Sequence, residues 1–400
     1  MSSFTFFADR PVERYRKSDA GLIVAIVLLW GLGLCTLCVC TPSTAQRLFN
    51  DKYYFIFRQL MCSAVGFAGL FVFAQLPIKK IRAMLPLLVL ATFILCLMTF
   101  LPGIGDARKG APRWIRIPHV ATFQPSELAK FVVVLFLANL FDKQLDVNDD
   151  TRKSFWYPLS GLLLFVGVVF LQKDFSTGLF IFAIGCIMFF VCGAKMDWFL
   201  PLILLAVPAA ALMIAIEPYR INRLVAFFKP GEYVLTSGYQ QFASRRAIIT
   251  GGLWGMGMGT GLDKVSSIPE VQTDYIFAGW ASAMGLLGVT AYFALLVFFA
   301  WRGYVVAFTS PDRFAAFGCF GCTSIVVLQS IMNCAVVCGA APTTGIPLPF
   351  FSSGGSSLIV TLCMCGFMVN ASHCEGPDVS AGTVMSGGAS QGFDAYDVQF

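Results

Sequence analysis

A chain of 400 residues that is 57% hydrophobic and 12% charged carries roughly half the charge of a typical soluble domain, and no soluble fold could hide that much apolar surface. The formal charge of +6 is modest, and no basic aromatic tract points to nucleic acid as a partner. On a membrane chain such cations mark orientation or meet anionic headgroups.

Arg10, Arg14, Arg16 and Lys17 precede an apolar run from Gly21 to Thr41. That run is too long for a signal-peptide core and reads as an uncleaved first span. Apolar runs then predict helices at 21–41, 54–76, 83–102, 124–141, 157–172, 176–193, 197–216, 275–301, 314–340 and 355–372. The fold class expected is an all-α polytopic membrane protein of about ten spans in one domain, residues 21–372. A large polar loop, 217–273, separates spans seven and eight.

An even number of crossings places both termini on one face. That face would receive residues 1–20, the Lys79-Lys80-Arg82 turn, the charged Asp142–Ser154 loop, the Arg302–Arg313 loop and the tail 373–400. The tail is rich in Gly, Ser and Ala from Ser380 to Gly392 and reads as disordered. Gly103–Phe123, Glu217–Thr273 and Ala341–Gly354 would share the opposite face. The Lys/Arg bias of short loops barely distinguishes the two sides, because Arg108, Lys109, Arg113, Arg116, Arg220, Arg223, Arg245 and Arg246 offset the cations of the first face. Either the orientation is inverted, or those cations bind an anion.

Most of the 14 cysteines lie inside apolar runs and read as small packing residues. Cys35/Cys38 and Cys319/Cys322 have C-x-x-C spacing, but the only histidines are His119 and His373, so nothing completes a tetrahedral metal site. Four polar constellations remain. The first runs Lys109-Gly110-Ala111-Pro112-Arg113-Trp114-Ile115-Arg116 and on to Gln124-Pro125-Ser126-Glu127 and Lys130. Cations and an aromatic converge there on a helix start, whose free N–H groups suit an anion. Glu127 and Lys130 are i,i+3 neighbours and could equally neutralise each other. The second, Gln172-Lys173-Asp174, is either a tight turn or a functional polar break.

The third is the 217–273 loop, with Arg220, Arg223, Tyr239, Gln240, a glycine series from Gly251 to Gly261, and Pro269-Glu270-Val271-Gln272-Thr273-Asp274 at its end. Asp274 stands at the start of span eight, where a carboxylate is expensive unless it is paired or transfers protons. It could also simply cap that helix. The fourth, Pro342 to Ser357, has three prolines and a Gly-Ser cluster, so it cannot be continuous helix. Irregular backbone at membrane depth must be buried in protein or line a cavity.

Taken in order, Gly110–Ile115, Gln124-Pro125-Ser126-Glu127 with Lys130, Pro269-Glu270 with Thr273-Asp274, and Gly345–Ser357 resemble the SEDS family of shape, elongation, division and sporulation proteins, from the first span to the tenth. Glu217–Ile221, Ser237–Gln240 and Asn333 ahead of Pro342-Thr343 look closer to its division branch than to its elongation branch. The resemblance implies polymerisation of lipid II into glycan strands in the bacterial inner membrane, with both termini cytoplasmic and 217–273 periplasmic. It makes Asp274 the catalytic carboxylate and places Arg113, Trp114, Gln124, Glu127, Lys130, Arg220, Arg223, Tyr239, Gln240, Glu270 and Ser356 at the substrate. It implies a class B penicillin-binding transpeptidase and other division proteins as partners. No cofactor is required, although a divalent cation could share the charge of a pyrophosphate. The chain departs from the family pattern at Lys173, at Ser282-Ala283, where an acidic pair is usual, and at Ser353, where tyrosine is usual. A lipid II flippase and a noncatalytic scaffold are the competing readings.

Overall fold

The computed structural model describes residues 18–108, 111–117, 121–145, 151–192, 217–229, 238–257 and 268–373, and positions 204, 208 and 215 besides. Twelve helices are described: α1 (Ala20–Cys40), α2 (Pro42–Phe49), α3 (Tyr54–Gln75), α4 (Ile78–Met98), α5 (Pro125–Leu145), α6 (Thr151–Leu171), α7 (Phe175–Val191), α8 (Pro218–Phe228), α9 (Tyr239–Gly251), α10 (Ile276–Thr309), α11 (Arg313–Cys338) and α12 (Gly355–Ser372). Of these, α1, α3, α4, α10, α11 and α12 are long and apolar enough to cross a membrane, and Phe155–Leu171 and Phe175–Val191 are shorter apolar helices. The seventh predicted span, 197–216, lies outside the described residues apart from 204, 208 and 215, which are helical. The tail beyond His373 and residues 1–17 lie outside them too.

α11 and α12 form the centre: 78% and 83% of their apolar windows are buried in protein, against 22–39% for the windows of α1, α3 and α4. The cause is side-chain size. Small residues let helices approach closely where lipid supplies no hydrophobic drive between them. A Cβ at Gly318 would press on Phe367, one at Gly321 on Val134, and one at Gly66 on Leu362. Larger apolar side chains on the outer helices, such as Phe57, Met61, Phe71 and Leu87, remain exposed to lipid.

Several segments differ from the expected pattern. Lys79, Lys80 and Arg82 are not a turn but the first turns of α4, since the chain enters the helix directly after Pro77. The Arg302–Arg313 loop shrinks to residues 310–312 because α10 continues to Thr309 and Asp312 caps α11 through the Ala315 N–H. Arg302 stays inside α10, where it pairs with Asp19 at the start of α1. The polar segment 103–123 is not plain loop. It forms a three-stranded antiparallel sheet, β1 (Gly105–Arg108), β2 (Ala111–Ile117) and β3 (Ala121–Phe123), in the order β1-β2-β3. The long loop contains α8 and α9.

Both ends of the described chain meet on one face. The Ser18 hydroxyl lies 2.7 Å from His373 Nε2, and the Asp19 N–H donates to Ser372 Oγ at 3.2 Å. On the same face Arg82 ties α4 to Asp142 of α5 and lies 4.0 Å from Asp312.

Gly31 and Gly33 of α1 test the packing argument side by side. A Cβ on Gly31 would meet nothing, whereas one on Gly33 would collide with the carbonyl of Phe350. Thermal unfolding in detergent should show Gly31→Ala unchanged or stabilised by up to about 1 kcal/mol. Gly33→Ala should lose about 1–3 kcal/mol. Equal melting of the two variants would contradict this packing.

Candidate active site

The predicted polar constellations gather at the end of the bundle opposite residues 18 and 373. Ala111 and Ile115 of β2 are buried against the bundle, and between them the register with β1 shifts, Asp106 facing Trp114 and Ala107 facing Pro112, which leaves Arg113 as the extra residue of a bulge that re-aims its side chain. Arg113 thereby reaches the α6–α7 turn. It donates to the Lys173 carbonyl, and its Nη1 lies 3.6 Å from Asp174 Oδ1.

That turn has Lys173 at φ 59, a tight reversal that buries Asp174. The Asp174 carboxylate accepts from Gln124 Nε2 at 2.9 Å and from the Ser126 hydroxyl at 3.1 Å. Gln172 donates to the Cys96 carbonyl at 2.8 Å and anchors the turn to α4. Lys173 pairs with Glu217 at 3.1 Å, and Arg220 stacks 5.1 Å above the Phe175 ring. Two cations predicted for substrate, Arg113 and Arg220, thus flank one turn, and Asp174 organises the first of them.

Lys130 and Glu127 form the neutralising pair that their spacing allowed. Their contact is 2.8 Å, with side chains 2% and 4% exposed. Lys130 also donates to Gln329 Oε1 at 2.8 Å, and Gln329 Nε2 donates to the Pro347 carbonyl at 2.8 Å. A buried ion pair is tolerable only with such further hydrogen bonds.

Asp274 ends a turn in which its N–H donates to the Glu270 carbonyl at 3.2 Å, with Glu270 at φ 55. The N-cap position of α10 belongs to Tyr275, one residue later than a capping Asp274 requires, and Tyr275 makes no side-chain cap bond. The Asp274 carboxylate points toward Gly345, where a Cβ would stand 3.6 Å from Oδ2. Gly345 has φ 74, so the loop turns there without a side chain between its backbone and the carboxylate.

The 342–357 segment connects these parts. Asn333 Nδ2 donates to both the Asp274 and the Ile346 carbonyls at 2.9 Å. The Ser352 hydroxyl donates to the Thr273 carbonyl, and the Ser353 N–H to the Gln272 carbonyl at 2.8 Å. Ser356 Oγ accepts from the Gln124 N–H at 2.9 Å. Arg223 donates to the Thr343 carbonyl at 3.0 Å, and Gln240 to the Pro269 carbonyl at 3.4 Å. Trp114 lies on β2 opposite Asp106, and Tyr239 opens α9.

Lys130 and Asp274 are joined through Gln329, Asn333 and the 345–353 backbone, and Arg113 through Asp174, Gln124 and Ser356. Asp174 and Ser352 stood in predicted polar constellations without an assigned role, and Gln329 stood in none. The readable signal for Gln329, as for Asn333, was an amide inside an apolar helix, a costly placement that marks buried contacts. Among the described residues no group of three or more His, Cys, Asp or Glu is arranged to hold a metal.

Residues 20–376 match the model of a family described as cell cycle proteins, FtsW, RodA and SpoVE. The chain is 34% identical over 363 residues to a probable peptidoglycan glycosyltransferase FtsW of Geobacter sp. (strain M18), covering 91% of this chain and 98% of that one. It is 33% identical to stage V sporulation protein E of Bacillus subtilis, covering 89% and 97%. Among solved structures, a chain from a study of how a peptidoglycan synthase complex coordinates polymerization and crosslinking superposes with TM-score 0.74 at 26% identity, covering 89% of this chain and 98% of that one. The rod shape determining protein RodA of Thermus thermophilus superposes with TM-score 0.64 at 23% identity, covering 88% and 95%, and shares the fold. Matched from its first span to its last, this multi-pass membrane chain belongs to the FtsW, RodA and SpoVE family of cell cycle proteins, the SEDS family that its motifs resemble.

Proposed function

We propose that this protein is a peptidoglycan glycosyltransferase that polymerises lipid II into glycan strands for division. Its relatives at 34% identity carry that activity in their name, FtsW. The observation that carries the mechanism is Asp274: its carboxylate faces the side-chain-free turn at Gly345.

The 4-hydroxyl of one lipid II attacks the anomeric carbon of a chain carried on undecaprenyl pyrophosphate. A new C–O bond forms, the bond to pyrophosphate breaks with its electron pair, and Asp274 accepts the hydroxyl proton as general base. Arg113 and Arg220, flanking the 172–175 turn, stabilise the charge that grows on the departing pyrophosphate. A divalent cation could share that charge. Lys130, committed to Glu127 and Gln329, acts by holding the wall behind the 345–353 loop. Trp114, Gln124, Arg223, Tyr239, Gln240, Glu270 and Ser356 shape the substrate groove around these groups. The site faces the periplasm, both termini are cytoplasmic, and a class B penicillin-binding transpeptidase is the partner that cross-links the product.

Asp274→Asn keeps the side chain's size and removes its basicity. Lipid II polymerisation by the purified variant should fall roughly 10²–10⁴-fold with thermal unfolding unchanged. Near-normal polymerisation by a well-folded variant would defeat the general-base role.

Asp174→Asn breaks the pair that aims Arg113, a contact with the arginine about one-third exposed and worth about 1 kcal/mol. The expected result is about a fivefold rise in KM for lipid II with little change in kcat. An unchanged KM would remove Asp174 as the residue that positions Arg113.

Orientation is tested by a Leu235→Cys probe in a cysteine-depleted background. A membrane-impermeant maleimide should modify it from the periplasm of intact cells. Modification only from the cytoplasmic side would invert the topology.

A further inference from the structure

The stretch from the end of α9 to residue 257 takes no part in the proposed reaction, yet it is bonded into a spanning helix. α10 breaks at Gly285, with φ 62 and ψ −162. A break strands backbone groups, which membrane interiors penalise heavily. Here the long loop satisfies them. The Leu286 N–H donates to the Gly252 carbonyl at 3.0 Å, the Leu287 N–H to the Leu253 carbonyl at 3.3 Å, and the Met256 N–H to the Ser282 carbonyl at 3.0 Å. A Cβ at Gly255 would collide with the Ala283 carbonyl, so only glycine permits this approach.

The depth of this contact follows from α1. Asp19, just before α1, pairs with Arg302 of α10 on one face of the bundle. At its other end, Cys35, Thr36, Val39 and Cys40 border one small cavity with Trp280, Ala283 and Met284 of α10. The two helices therefore run side by side and antiparallel, and the break in α10 is level with the last turns of α1. The 21 residues of α1 rise about 30 Å, the thickness of the hydrocarbon layer. The loop tip pinned at 282–287 thus lies at the edge of that layer.

The side chains carried there are apolar and uncovered. Ile249 is 78% exposed, Leu253 63% and Trp254 81%, beside Leu286 and Leu287 at 51% and 54%. Phe242, Arg246 and Ile249 follow one another at helical spacing on the outward side of α9, with Leu253 just past its end, while Gln241, Ser244, Ala247 and Gly251 face the bundle. Tryptophan favours the membrane interface, and an arginine can lay its stem on acyl chains while its head reaches phosphate.

We propose that Ile249–Trp254 is a re-entrant wedge in the bilayer leaflet on the Asp274 side, with Leu253 and Trp254 among the upper acyl chains and Arg246 at the lipid phosphates. The wedge fixes the broken helix at the depth where α10 turns toward Asp274. It follows from depth and exposure alone and stands whether or not Asp274 is the base.

The test is fluorescence of the full chain in phosphatidylcholine and phosphatidylglycerol vesicles. Subtracting Trp254→Phe from wild type isolates one of the 7 tryptophans. Trp254→Tyr serves the same purpose if the first variant melts early. The difference signal should be quenched at least about twofold more by lipids brominated near the top of the acyl chains than by those brominated near their ends, and hardly by iodide, as an interfacial ring requires. Strong quenching by iodide with none by brominated lipid would overturn the wedge by placing the tip in water. Quenching by neither would also overturn it, because protein, a second copy of the chain for instance, would then cover the ring.

Discussion

Two amides one helical turn apart on α11, Gln329 and Asn333, hold the outer end of this molecule together. The 342–353 segment cannot be helix, so its carbonyls at membrane depth need donors from elsewhere. Gln329 supplies one to Pro347 and Asn333 one to Ile346. Each amide also reaches a titratable residue: Gln329 accepts from Lys130, and Asn333 donates to the Asp274 carbonyl. The wall, the buried ion pair and the turn that carries Asp274 are consequently one hydrogen-bonded unit. Losing an amide would leave buried carbonyls without partners, at about 1–3 kcal/mol each.

The distribution of charge follows a similar logic. On the face that holds residues 18 and 373, Arg302 is neutralised by Asp19 and Arg82 by Asp142, pairings that staple helix ends together. On the opposite face Arg113 leans on Asp174 while remaining about one-third exposed, and Arg220 rests on an aromatic ring. Cations held in place but not fully buried can still receive an anion. This accounts for the nearly silent positive-charge bias of the loops: cations on one face fasten helices, and those on the other stand where the proposed site needs them.

The spans were legible because about 20 apolar residues in a row leave few alternatives. Their ends were less so. Arg302 looked like a loop residue until its partner, distant in sequence, put it inside α10. The sheet at 105–123 was hidden because cations, Pro112 and Gly110 interrupt the alternation that marks a strand, and only the fold shows Arg113 as the extra residue of a bulge. Asp274 was readable as important, but its place relative to the N-cap depended on whether α10 starts at 275 or 276. Asp174 was ambiguous for the same reason: a tight turn and a buried hub have the same local sequence, and Gln124 lies fifty positions away. The 217–273 loop read as uniformly polar, although Ile249, Leu253 and Trp254 sit where α10 breaks.

The central claim is that this end of the bundle makes glycosidic bonds and is not merely a passage for lipid II. Purified protein should be given lipid II in detergent, with and without the proposed class B penicillin-binding transpeptidase, and the products resolved by length. The account predicts glycan strands many disaccharides long, with release of undecaprenyl pyrophosphate. Unchanged lipid II in both reactions, together with its transfer across vesicle membranes by the same preparation, would contradict it.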